Sequence, residues 1–279
     1  MDSSFTLTQA LPLIAAMIAT GLVAGVVAGL LGVGGGIVVV PILEYALGYV
    51  GVAEQWRMHV AVATSLATII PTSISSARAH HRRGAVDWPL ARAWGPAMLA
   101  GSVVGSLLAV RTPPATLTAI FGCVALLAAF KMFLPLDQLR LAARTPRGPV
   151  GSAIAGAIGL VSSMMGIGGG TLSVPSMSMT GEDIHRSVGT AAFFGLLISL
   201  PGTLGYMFAQ PGAQLPPFTV GLVSLIGFAL IAPGSMLAAP LGARLAHALP
   251  KRALSQLFGV FLLVVALRML YRTFGATQP

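Results

Sequence analysis

The sequence predicts an all-α polytopic membrane protein made of two inverted-topology repeats, each a glycine-broken helix pair plus three further transmembrane helices. Three observations lead there. Of the 279 residues, 56 % are hydrophobic and 8 % charged, where a soluble domain carries about 25 % charged residues. Several apolar stretches approach or exceed the roughly 20 residues a helix needs to cross hydrocarbon, and none alternates with the period of two that a barrel strand requires. The chain also repeats itself: Gly32-Val33-Gly34-Gly35-Gly36 with Pro41 lies over Gly166-Ile167-Gly168-Gly169-Gly170 with Pro175 at an offset of 134.

The first apolar segment covers 11–31. No basic residue precedes it, so it reads as a retained helix rather than a cleaved signal. Glycine costs a helix interior about 1 kcal/mol relative to alanine, so the glycine cluster ends this helix and a shorter apolar piece, 37–50, begins beyond it. A loop with Glu54 and Arg57 leads into 59–77, where Pro71 marks a kink. The basic loop 78–92 holds His80-His81-Arg82-Arg83-Gly84 and Asp87-Trp88. Segments 94–110 and 115–134 form a hairpin through Thr112-Pro113-Pro114. The second half repeats the plan as 150–165, the glycine break, 171–179, 185–208, 218–249 and 253–274. The repeats are therefore 1–136 and 150–279, joined by a polar cytoplasmic linker, 137–149, within one transporter domain.

The internal match is specific. His59 lies over His185 and Thr64 over Thr190 at an offset of 126, while Pro96, Gly105, Pro113, Leu117 and Phe121 lie over Pro233, Gly242, Pro250, Leu254 and Phe258 at 137. Charge sets the relative orientation. With loop 78–92 in the cytoplasm and an odd number of crossings per half, only Arg57, Arg111, Arg268 and Arg272 of the sixteen Lys and Arg residues face out; parallel halves would put six outside. Basic residues favour the inside, so the repeats are expected to be inverted, with both termini outside.

A net charge of +9 would suit nucleic acid, but the basic residues sit in short loops rather than on an amphipathic face with aromatics, so no nucleic-acid partner is expected. Cys123, the one cysteine, excludes a disulfide framework and is expected to pack inside an apolar helix. The spacing of His80 and His81 fits no zinc site, and neither a metal nor a cofactor is expected. Without paired intramembrane carboxylates or a nucleophile beside a base, an enzyme is not expected either. The Gly101–Gly105 spacing fits a close helix contact within or between protomers, which leaves the oligomeric state open.

Helices beginning near Gly36 and Gly170 would present unpaired amides and the positive end of a dipole, an anion site that needs no cation. Broken helices paired across two halves point to a transport site at the midplane. Gly34, Gly35, Gly36, Gly168, Gly169 and Gly170 are thus the candidate backbone ligands, with close helix packing the alternative role. Hydroxyls of Thr64, Ser65 and Thr190 are candidate donors to anion oxygens. His59 and His185 either join them or hold turns through loop carbonyls. Arg186 pairs with substrate or with headgroups, and Arg83 guards the inner mouth electrostatically or belongs to a solvated cluster. Glu44, within an apolar piece, is a candidate coupling acid or a residue that snorkels outward. The lipid bilayer is the obligate environment, and a proton or a sodium ion the expected coupling partner.

The duplicated Gly-Xaa-Gly-Gly-Gly with its proline, Ala63-Thr64-Ser65-Leu66, and His81-Arg82-Arg83-Gly84-Ala85-Val86-Asp87-Trp88 resemble the sulfite exporter TauE/SafE family, also called the toluene-sulfonate uptake permease group, over about 11–271. The resemblance implies carriage of sulfite, sulfonates such as sulfoacetate or toluene sulfonate, or related sulfur-containing anions across the bacterial inner membrane, which would put both termini in the periplasm. Ala63 replaces the glycine usual in the family's Gly-Thr-Ser motif, and the second copy keeps Gly189 but has Ala191 for the serine. The expected function is secondary transport of an organosulfonate or sulfite by alternating access. A passive anion channel and a membrane subunit of a larger complex are the alternatives.

Overall fold

The computed structural model describes residues 7–133, 145–209, 215, 218–246 and 251–275. Residues 137–144, most of the linker, therefore lie outside the described residues. The helices are α1 (Leu7–Leu31), α2 (Gly36–Tyr49), α3 (Glu54–His81), α4 (Trp88–Arg111), α5 (Pro114–Phe133), α6 (Pro149–Met165), α7 (Gly170–Met179), α8 (Ile184–Met207), α9 (Leu225–Leu245) and α10 (Lys251–Gly275). Two-residue strands β1 (Thr219–Val220) and β2 (Val223–Ser224) pair antiparallel just before α9. Among the described residues five spans are long and apolar enough to cross a membrane: Leu11–Leu31, Glu54–His81, Trp88–Arg111, His185–Met207 and Leu225–Leu245.

Local chemistry explains where the elements depart from the apolar pattern. The fourth helix starts at Trp88 rather than 94 because Asp87 caps it, its Oδ1 accepting from the Leu90 amide at 2.9 Å, with Pro89 in the first turn. Likewise α9 starts at Leu225, capped by Ser224, whose hydroxyl accepts from the Gly227 amide; the residues from 218 that were expected to be helical form the β-hairpin instead. Helix α3 continues through Pro71 to His81, beyond the expected end at 77, and the chain turns at Gly84. Cys123 does not pack inside; it is exposed on α5, as a lipid-facing position would be.

Helices α3 and α8 form the centre, with 72 % and 61 % of their spanning windows buried against 39–44 % for the other long spans. Around them the halves interleave. Helix α1 packs on α9 and α6 packs on α4, while α5 packs on α10. Small residues make the first two contacts close: a Cβ on Gly25 or Gly29 would collide with the backbone at Ser235 or Ala239, and one on Gly101 or Gly105 with that at Gly156 or Leu160. Residue numbers rise together in both contacts, so α1 runs parallel to α9 and α4 parallel to α6. The central pair is antiparallel, since Leu66 meets Gly202 and Ser73 meets Gly195.

Candidate functional site at the crossing of the glycine breaks

The two glycine breaks meet backbone to backbone. A Cβ on Gly34 would stand 3.1 Å from Gly168 Cα, and Cβ atoms on Gly36 and Gly170 would collide with the carbonyls of Gly166 and Gly32. All ten residues of the two clusters are buried. Gly34 and Gly35 adopt left-handed φ values of 75° and 77°, which residues with a Cβ rarely tolerate, and Gly35 then caps α2. The second break begins alike, with Gly166 left-handed as Gly32 is, but is wound differently beyond it, with Gly169 at φ −55°. Helix α3 clamps the crossing: the Ser65 hydroxyl donates to the Gly166 carbonyl at 2.7 Å, and the Ile69 side chain lies against Gly34 and Gly36.

The two candidate threonines do matching jobs. Thr64 Oγ1 accepts from the Ser224 amide and Thr190 Oγ1 from the Asp87 amide, both at 2.9 Å. Ser224 and Asp87 are the N-caps of α9 and α4 and are themselves separated by the repeat offset of 137. Each threonine thus joins a central helix to the capped end of a helix that lies next to it, and its hydroxyl proton is left to donate.

His59 is buried, with Nε2 3.0 Å from the Thr112 carbonyl and Nδ1 3.2 Å from the Gln55 carbonyl, which ties α3 to the α4–α5 turn. His185 and Arg186 lie in the first turn of α8, half-buried and exposed respectively, and their amides donate to the Asp183 carboxylate. Arg83, exposed beyond α3, donates to the Ala243 carbonyl and so fixes the α3–α4 turn to the end of α9. At that same end Asp87 sits 3.6 Å from the Arg147 guanidinium, and the Trp94 indole N–H donates to the Pro146 carbonyl. Glu44 lies at the α2–α3 end, where with Tyr45, Gly48, Tyr49, Arg57 and Arg268 it lines a cavity of about 320 Å³. The Arg268 guanidinium stands 4.9 Å from the Tyr45 ring centre there. So the glycines, Ser65 and Ile69 come together at the crossing, the threonines hold neighbouring helices, and the charged candidates occupy the two ends. Among the described residues no three His, Cys, Asp or Glu side chains are placed to hold a metal ion.

Sequence reasoning passed over another set. Among the described residues, the hydroxyls of Ser73, Ser76, Ser162, Thr171, Ser187, Thr203 and Tyr206 are buried without a hydrogen-bond partner. Leaving such a group unsatisfied costs about 1–3 kcal/mol each. The signal in the sequence was the spacing of Ser73, Ser76 and His80 along one face of an otherwise apolar segment, with Tyr206 in the place of His80 at the repeat offset of 126.

A model of the sulfite exporter TauE/SafE family matches residues 17–269. A probable membrane transporter protein of Haemophilus influenzae is 36 % identical over 252 residues, covering 89 % of this chain and 95 % of that protein. The Bacillus subtilis probable membrane transporter protein YunE is 25 % identical over 91 % of this chain and 96 % of its own length. One from Methanocaldococcus jannaschii is 26 % identical over 75 % of this chain and 77 % of its own. No solved structure matches significantly. A family match over residues 17–269, together with a relative 36 % identical over 89 % of the chain, makes this protein a membrane transporter that belongs to the sulfite exporter TauE/SafE family.

Proposed function

We propose that the protein is a secondary transporter of a small sulfur-containing anion, an organosulfonate or sulfite, that works by alternating access between two inverted halves in the bacterial inner membrane. The observation that carries this reading is the crossing itself, where two broken helices, one from each half, bring their glycines into backbone contact. Non-helical backbone at membrane depth is tolerated where protein buries it or where it lines a pathway.

Inversion of the halves is supported by run directions. By the repeat offsets α1 corresponds to α6, α3 to α8 and α9 to α4. The set α1, α3 and α9 runs one way, as Thr64–Ser224 and Thr72–Ser235 pairing aligns α3 with α9. Its counterpart α6, α8 and α4 runs the other way, because α3 and α8 are antiparallel. Each half therefore embraces a helix of the other, which suits rocking about the crossing.

In this conformation the breaks are closed on each other. Separating them would bare the first-turn amides of α2 and α7, the donors that helix geometry leaves without intrahelical partners. Gly34 to Gly36 and Gly168 to Gly170 would then hold the anion, with Thr64, Ser65 and Thr190 beside them. A sulfonate or sulfite spreads its charge over three oxygens, which suits many neutral donors at a positive dipole end. His59, His185, Arg83 and Arg186 stand further out, where the arginines would draw anions toward the mouths. A proton or sodium gradient would drive the cycle. With the basic α3–α4 end in the cytoplasm, both termini face the periplasm.

The test is binding of sulfite, sulfate, sulfoacetate, taurine and acetate to the purified single chain, by thermal shift with calorimetric follow-up. A sulfonate or sulfite should stabilise the protein while acetate does not. No response to any sulfur anion would overturn the reading.

A further inference from the structure

The unpartnered hydroxyls are not scattered. On α3, Ser73 and Ser76 follow Ile69 along one face, and on α8 Thr203 and Tyr206 follow Ser199 in the same manner. These faces look at one another across the central seam, where Ser73 Oγ abuts Gly195 and Leu66 abuts Gly202. On the α2–α3 side of the crossing, α8 residues 199–206 share a level with the end of α6: the Ser102 hydroxyl donates to the Ile198 carbonyl and the Ser163 hydroxyl to the Ser102 carbonyl, at 2.6 and 3.0 Å. Ser162, Thr203 and Tyr206 therefore lie on this side of the crossing. On the α3–α4 side, the His80 ring donates to the Gly29 carbonyl at 2.8 Å, Val188 lies against Gly32 and Ser73 against Gly195, so Ser73, Ser76 and Ser187 lie on this side of the crossing along α3 and the first half of α8. Thr171, in the first turn of α7, stands between the groups at the crossing. All seven residues are less than a tenth exposed.

Both groups are built from hydroxyls, which donate to an oxyanion without charge. We infer that the substrate travels along the α3–α8 seam between two hydroxyl clusters, Ser162, Thr203 and Tyr206 on one side of the glycine crossing and Ser73, Ser76 and Ser187 on the other, each of which binds the anion's oxygens when its side is open. The inference rests on the transport reading and adds to it the residues that line the route. The hydroxyls have no protein partner in this structure and would bond substrate, or water that enters with it, so the same groups would favour opening toward either side. Tyr206 has the longest reach and the deepest burial of the set, at 0 % exposure, and is the residue expected to discriminate most strongly for an oxygen-rich anion.

Two measurements decide it. In a Cys123→Ala background, Ser76→Cys and Thr203→Cys are treated with a membrane-impermeant sulfonate thiol reagent in right-side-out and inverted vesicles, with an engineered cysteine at the exposed Gln55 as labelling control. Ser76→Cys should react only from the α3–α4 side and Thr203→Cys only from the other, and sulfoacetate should slow both. Failure of both to react while the control labels, or reaction that ignores sidedness and sulfoacetate, overturns the route. In the second measurement, Tyr206→Phe and Ser73→Ala each weaken sulfoacetate or sulfite binding by about ten-fold, the size of one lost hydrogen bond to a charged ligand, with the thermal midpoint of the unliganded protein held or raised. Unchanged affinity in both variants overturns the inference and leaves the transport reading standing. A parent protein that binds no sulfur anion overturns both.

Discussion

At the residue scale the protein uses hydroxyls and carbonyls where a soluble protein would use charge. Thr64 and Thr190 each accept from the amide that opens a capped helix. Thr64→Val or Thr190→Val keeps the volume and strands that amide, so each should lower stability by about 1–3 kcal/mol, read as a fall in the thermal midpoint of the detergent-solubilised protein, whereas Thr→Ser should largely restore it. Both threonines stood out in the sequence because they coincide at the repeat offset, but their partners did not. Ser224 and Asp87 lie about 160 and 103 positions away along the chain, and no local pattern announces a hydrogen bond of that separation. His59 is similar. A buried ring between the carbonyls of Thr112 and Gln55 predicts that His59→Leu destabilises the protein by about 1–3 kcal/mol and that anion affinity per folded molecule is retained. An affinity loss beyond about ten-fold in a folded His59→Leu variant would instead make the ring a ligand.

At the element scale the glycines decide the architecture. Their breaks were legible because three glycines in a greasy run have few uses, and the ends of the helices that flank them fall within one residue of expectation, except that α1 starts at Leu7 rather than 11. What the breaks touch was less legible. Gly36 and Gly170 face the carbonyls of Gly166 and Gly32 rather than open space, so close approach of backbone to backbone is their role in this structure. Gly36→Ala or Gly170→Ala should therefore cost about 1–3 kcal/mol through overpacking and depress transport at sites where the added methyl is far too small to block a mouth. Helix starts were missed where a cap outweighs hydropathy: Asp87 begins α4 six residues before the apolar run suggests. Asp87→Ala removes that cap and the Arg147 contact together, and a loss of about 0.5–2 kcal/mol is expected. Asp87→Asn, which keeps a side-chain oxygen to accept from Leu90, should retain most of the stability.

At the scale of the whole molecule the chain is a membrane bundle in which each half completes the other. Helix α1 finds its neighbour in α9 and α6 finds its neighbour in α4, so neither repeat has a finished core of its own, and 1–136 expressed alone should fail to give a monodisperse folded species. Coexpression with 137–279 should restore it. The repeat could be read from residue offsets, and its proposed inversion rests on loop charge, because those signals are local sums. The seam of unpartnered hydroxyls could not, because a serine in an apolar helix looks the same whether it bonds a carbonyl of its own helix, as Ser176 does to Leu172, or points at a neighbour, as Ser73 does to Gly195. A carrier that rocks about a closed crossing never presents a continuous pore, whereas a channel does. The most direct test of this is counterflow in proteoliposomes that contain only this chain, loaded with unlabelled sulfoacetate or sulfite and diluted into a trace of the same anion carrying radioactive sulfur. Alternating access predicts a transient overshoot of label inside the vesicles, abolished when the internal anion is omitted; simple equilibration of label at the same rate with or without internal anion would contradict it.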